Sequence, residues 1–196
     1  MLGNRHRFLT VGILAGSVAL LGAGFPAKTP PEKWAKSVCS ALSEWGEELD
    51  TASSSFTESE SRKQATAVLH DAVDATGTLV KALQKAGVPD VDGGAPTGRQ
   101  LLAAFKDAQK LLKGAVKDAA DLPTGGAFED ALTEIDDELG EGFDSIGQDV
   151  EKARSGADPE LQAALEDEDD CAGIFADDTG TTGSEDTEPD EGSDLP

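Results

Sequence analysis

The chain has 196 residues and a formal net charge of −23, with 39 acidic against 16 basic side chains, seven Phe, two Trp and no Tyr. That excess of negative charge argues against a nucleic acid partner and against a bare anionic membrane, because both are polyanions. Abundant Ala and few β-branched residues favour helix over sheet, and the length suits one domain with appendages.

Arg5, His6 and Arg7 precede an uncharged run, Phe8 to Phe25, which ends at Lys28, Thr29, Pro30 and Pro31. A positive start, an apolar middle and a polar exit are the layout of a secretory signal. Gly22-Ala23-Gly24 offers small residues for cleavage after Gly24, whereas cleavage after Ala27 would put bulky Phe25 at the −3 position. The alternative is an uncleaved anchor. As a helix the run would span roughly 27 Å, close to the hydrocarbon thickness, with Arg5 and Arg7 on the cytoplasmic side. Residues 1–27 are therefore expected to be a signal peptide or an uncleaved membrane anchor. On either reading the remainder works outside the cytoplasm, secreted or tethered to the outer face of the cytoplasmic membrane. No Cys follows the apolar run, which argues against a bacterial lipoprotein anchor.

Residues 28–175 read as a helical domain. A first helix is expected over about 32–50, because Trp34, Val38, Leu42, Trp45 and Leu49 recur at steps of three and four. Thr51-Ala52-Ser53-Ser54-Ser55 reads as fraying helix or linker. A second helix is expected over about 59–86, with Gly87 as its cap and Pro89 barring continuation. Val88 to Pro96 reads as a loop. A third helix, about 97–120, carries an apolar face through Leu101, Phe105, Ala108 and Leu112. It also carries a separate basic stripe of Lys106, Lys110, Lys113 and Lys117. After a turn at Leu122–Gly126, a fourth helix over about 127–153 has the cleanest seam: Phe128, Leu132, Ile135, Leu139, Phe143, Ile146 and Val150. Glu134, Asp136, Asp137, Glu138 and Glu141 crowd its other faces. A short fifth helix is expected from Asp158-Pro159 to about Glu166.

The resulting expectation is an all-α fold: an antiparallel four-helix bundle with a short fifth helix, each helix hiding its apolar stripe. The lysines of the third helix would lie near the acids of the fourth, as solvated side chains rather than as a docking site. Residues 121–196 hold 26 of the acids against only Lys152 and Arg154, so the acidity belongs to the last two fifths of the chain. Residues 176–196 carry no Lys or Arg and little apolar surface, and are expected to form a disordered acidic tail.

The exported part has two cysteines, Cys39 and Cys171. An even count in an oxidising compartment points to a disulfide, which would tie the first helix to the segment after the last one. Two separate buried thiols are the alternative; a zinc site would want more ligands than this pair supplies. Asp90-Val91-Asp92-Gly93-Gly94 has the opening of a calcium loop, but Leu101 stands where the closing Glu belongs, so it reads as a turn. Glu166-Asp167-Glu168-Asp169-Asp170 reads as a solvated cluster. For catalysis the inventory is poor. His70 is the one His outside the export segment, and no phosphate loop or Ser elbow is present. Carboxylates are too frequent for any pair of them to mark a hydrolase site.

The stretch Trp34-Ala35-Lys36-Ser37-Val38-Cys39, the loop Gly87-Val88-Pro89-Asp90-Val91-Asp92-Gly93-Gly94 and the late Cys171 resemble small secreted proteins and lipoproteins of actinobacteria. The resemblance covers roughly residues 32–175. It implies export and a cysteine pair, and no defined activity. The functional expectation is an exported, non-catalytic cell-envelope or secreted interaction protein with a protein partner and no cofactor or metal. The alternative is a helical bundle that binds a small ligand between its helices. A hydrolase with an unrecognised carboxylate site is a third reading.

Overall fold

The structure, a computed structural model, describes residues 27–172. The run Phe8–Phe25, expected to direct export, and residues 176–196, expected to form an acidic tail, fall outside the described residues.

Proline lacks an N–H, and the first turn of a helix has no partner for one, so Pro31 can open α1 (Pro31–Thr57). The helix continues past Asp50, through the Thr51–Ser55 run expected to fray. Phe56 explains this, being only 2% exposed at the far end of that run. Burying one aromatic ring stabilises by about 2–3 kcal/mol, more than the few tenths each Ser or Thr forfeits against Ala. Thr51 Oγ1 also donates to Glu47 O at 3.0 Å within the helix. The break that follows is set by a capping pair. Ser61 Oγ accepts the Gln64 N–H at 3.4 Å, while Gln64 Oε1 accepts the Glu60 N–H at 3.1 Å. From there α2 runs Arg62–Ala86.

Gly87 ends α2 with φ at 77°, and a Cβ at that position would also strike Ala27 O. This close approach places the chain ahead of α1 beside the end of α2. Lys28–Thr29 (β1) and Val88–Pro89 (β2) form a parallel pair with Lys28 opposite Val88 and Thr29 opposite Pro89. Thr29 Oγ1 donates to Ala86 O at 2.7 Å, Trp34 Nε1 donates to Gly87 O at 3.2 Å, and Lys28 Nζ meets Asp90 Oδ1 at 2.6 Å. Sequence reading makes this stretch a plain loop to Pro96. Instead the loop holds a strand and gives way to α3 (Gly94–Ala120), with Pro96 in the first turn.

The turn at Leu122–Gly126 leads into α4 (Ala127–Ser155). Asp158 then caps α5 (Pro159–Glu166) by accepting the Glu160 N–H at 2.9 Å. A single further turn, α6 (Asp169–Ala172), follows. Among the described residues the fold is thus mostly helical, with one small strand pair.

Each apolar stripe is covered by a neighbouring helix. α2 packs on α1 and α3, and α3 packs on α4, while α5 and α6 lie against α1; α4 meets α1 only sparsely. The core has two halves. One gathers the first half of α1, the second half of α2, the first half of α3, Ile146 from the second half of α4, and α5 with α6. The other gathers Phe56, the first half of α2, the second half of α3 and the first half of α4. Gly142 lets α4 close on α3, since a Cβ there would overlap Leu111, whose side chain packs against both halves. Trp45 ties the long helices together. Its Nε1 donates to Thr76 Oγ1 on α2 at 3.0 Å, and its ring meets Phe105 of α3 edge-on at 5.0 Å and Phe143 of α4 at 6.3 Å. Thr76 is fully buried and donates in turn to Ala72 O at 2.8 Å, so this chain of polar groups is satisfied. Among the described residues no helix is long and apolar enough to cross a membrane.

Candidate binding cleft

Leu49, Ala52, Ser53 and Phe56 follow at i, i+3, i+4 and i+7, so they share one face of α1. That face is large at its ends and small in its middle. Across from it stand Ala72 on α2 and Gly140 on α4. Small residues on three helices, where α1 and α4 already meet sparsely, leave a cavity of about 350 Å³. Space of that size equals roughly a dozen water volumes and lies at the small end of ligand pockets.

The floor is apolar and buried: Phe56, Leu69, Ala72 and Leu112 are each at most 3% exposed. Leu139 and Phe143 continue it along α4. Two carboxylates also line the cavity, the exposed Asp50 on α1 and the half-buried Asp136 on α4. No Lys, Arg or His lines the cavity among the described residues. Phe143 also touches Trp45, which couples the cavity wall to an indole.

Two open grooves flank the long helices. The α1–α2 groove, about 740 Å³, carries Glu44, Glu47, Glu48, Asp71 and Asp74, and shares Ala52 and Val68 with the cleft. The α3–α4 groove, about 350 Å³, is lined in part by Lys110 and Glu138. All four lysines of the α3 stripe are exposed, and among the described residues none of them forms an ion pair.

Cys39 and Cys171 come within disulfide distance, their Cα atoms 4.9 Å apart and both side chains at most 1% exposed. They join α1 to α6 at the end of the molecule away from Phe56. Asp90 pairs with Lys28 instead of facing a calcium-loop interior, and Asp92 is exposed. The hydrogen bond from Lys28 to Asp90, then the Asp90 charge, raise the lysine above its ordinary 10.5; Asp92 adds to this and burial opposes it. Glu166 and Asp167 end α5 and Asp169 and Asp170 open α6, all four exposed. Among the described residues no three His, Cys, Asp or Glu side chains are grouped to hold a metal. His70 is exposed on α2, next to Leu69 of the core half that does not contain Cys39.

The carboxylates lining the cleft, Asp50 and Asp136, were not legible as a pair. The legible signal was the small-residue run Ala52-Ser53 set at helical spacing between Leu49 and Phe56. Read as a linker, that run conceals a cavity; read as helix, it places the cavity.

No known protein family, no curated protein and no solved structure matches the chain.

Proposed function

We propose that this chain is an exported, non-catalytic binding domain: an antiparallel four-helix bundle, closed by Cys39–Cys171, that takes an apolar group into the α1–α4 cleft. The cleft is the observation that carries this reading. Its space of about 350 Å³ opens between exposed Asp50, Ser53 and Gly140 and reaches down to buried Phe56, Leu69 and Leu112, enough for a small apolar group. The direction of the helices is supported by pairs such as Trp34 with Gly87 and Trp45 with Thr76, in which the α1 number rises as the α2 number falls. Export is supported by the Phe8–Phe25 run and by a cysteine pair suited to an oxidising compartment. The likeness of Trp34–Cys39 to small secreted actinobacterial proteins fits the same reading.

If the export segment stays in place as an anchor, the cleft is set apart from the start of α1 by most of that helix. Pro31 opens α1 and the cleft lies beyond Leu49, roughly 27 Å further along the helix axis. The test is a titration of the intact chain with 1-octanol, read by methyl NMR. Saturable shifts at Leu69, Leu112 and Leu139 are expected; their absence overturns the reading. N-terminal sequencing of the protein from culture separates release from tether, since a start at Met1 excludes release by cleavage.

A second reading, a basic protein partner, is favoured by the five carboxylates of the α1–α2 groove. Such a partner would be retained from an envelope extract at low salt and lost at high salt and with Glu44→Gln/Glu47→Gln/Glu48→Gln. Retention unaffected by these changes contradicts it.

A further inference from the structure

We propose that the cleft selects a cationic amphiphile, an apolar body carrying an ammonium or similar cation. The inference rests on the cleft being the binding site and adds the chemical class of its ligand.

The floor and the rim make different demands. Buried Phe56, Leu69 and Leu112 offer no hydrogen-bonding side chain to a ligand, so the inserted part must be apolar. Asp50 of α1 and Asp136 of α4 both line the cavity, and among the described residues no basic side chain does. A cation entering the cleft meets carboxylates from two helices. A fatty acid or a phospholipid would bring its anion to the same place and be repelled. The surroundings reinforce this choice. The α1–α2 groove shares Ala52 and Val68 with the cleft and adds Glu44, Glu47, Glu48, Asp71 and Asp74. Clefts lined by one sign of charge concentrate ions of the other.

Other occupants fit less well. The chain's own segment 176–196 has eight acidic and no basic residues, so the rim would repel it. A partner helix is about 10 Å across with its side chains, whereas about 350 Å³ admits only a side chain or two. A compact small molecule matches both the volume and the charge.

The test compares three probes of equal chain length, octylammonium, 1-octanol and octanoate, titrated into the intact chain at low salt. The indole N–H resonances report position. Trp45 touches Phe143 of the cleft wall, while Trp34 lies at the other end of the molecule and serves as control. Octylammonium is expected to shift the Trp45 signal saturably and leave Trp34 unmoved. It should bind roughly tenfold more tightly than octanol, with octanoate weakest. The preference should shrink as salt is added. Asp50→Asn/Asp136→Asn should narrow the gap between octylammonium and octanol, leaving only the part owed to the carboxylates of the adjoining groove; an unchanged gap overturns the role of this pair. Gly140→Leu should abolish both.

Equal binding of amine and alcohol overturns the cationic class while leaving the cleft as a binding site. Tighter binding of octanoate overturns it in the same way. Binding of none of the three, or binding that moves Trp34 and Trp45 alike, removes both the class and the site.

Discussion

Gly140→Leu probes whether the space between α1 and α4 is free. An added Cβ at Gly140 meets nothing within 4 Å, although the residue sits inside α4 and lines the cleft. Two gains follow. Replacing Gly by Leu inside a helix stabilises by about 0.8 kcal/mol through backbone propensity alone. A leucine half-covered by Ala52, Ala72 and Leu139 adds about 1 kcal/mol of apolar burial, against about 1.5–3 for full burial. Asp136 lies one turn away, and its partial desolvation takes some of this back. The net expectation is a rise of about 1–2 kcal/mol in unfolding free energy. Urea unfolding followed by far-ultraviolet circular dichroism measures it as a higher midpoint at unchanged slope. The same variant should lose octanol and octylammonium binding. A stability gain with loss of binding would mark a cavity kept open at a cost to stability. A drop of about 1 kcal/mol or more would show that the leucine collides with its surroundings and that no free space lies there.

The remaining predictions concern what holds the cleft in place. Replacing both cysteines, Cys39→Ala/Cys171→Ala, should cost about 3–5 kcal/mol, since the bridge spans 132 residues of sequence, and amide exchange should rise first in α5 and α6. A loss below about 1 kcal/mol would contradict this. Trp45→Phe removes the donor to Thr76 and part of the contact with Phe105 and Phe143, with an expected cost of about 1–2 kcal/mol in the same urea assay. Gly87→Ala forces a side chain into a left-handed conformation against Ala27 O, so a loss of at least about 1 kcal/mol and faster exchange at the Val88 amide are expected. The raised value of Lys28 means its pairing with Asp90 is fully formed below the unfolded-state 10.5 and is lost as pH climbs through the higher folded value. A ¹³Cε titration should show Lys28 deprotonating at higher pH than in the Asp90→Asn variant; identical curves would show that the pairing does not persist in solution.

Periodicity made the long helices legible, because each buries a continuous stripe and the spacing of Phe128, Leu132, Ile135 and Leu139 admits little else. The two cysteines were legible by count and compartment, and the structure brings them together. Helix ends were less legible where tertiary burial competes with local preference. The Thr51–Ser55 run argues locally for fraying, but buried Phe56 beyond it keeps α1 helical to Thr57. The start of α2 was written in Ser61-Arg62-Lys63-Gln64, a capping signal that hydrophobic spacing does not register. The β1–β2 pair was not legible, since it depends on residues sixty positions apart meeting where Gly87 has no side chain. The cleft was hidden for a related reason. A cavity is made by what facing helices lack, and Ala52, Ser53, Ala72 and Gly140 carry no apolar signal of their own.

The most direct test of the binding account is a methyl NMR titration of the intact chain with octylammonium. Saturable shifts confined to cleft side chains are expected, among them Leu49, Val68, Leu69, Leu112 and Leu139, with Val38 and Leu161 in the disulfide-closed half unmoved. Shifts spread evenly over both halves of the core, or no saturation, would contradict it.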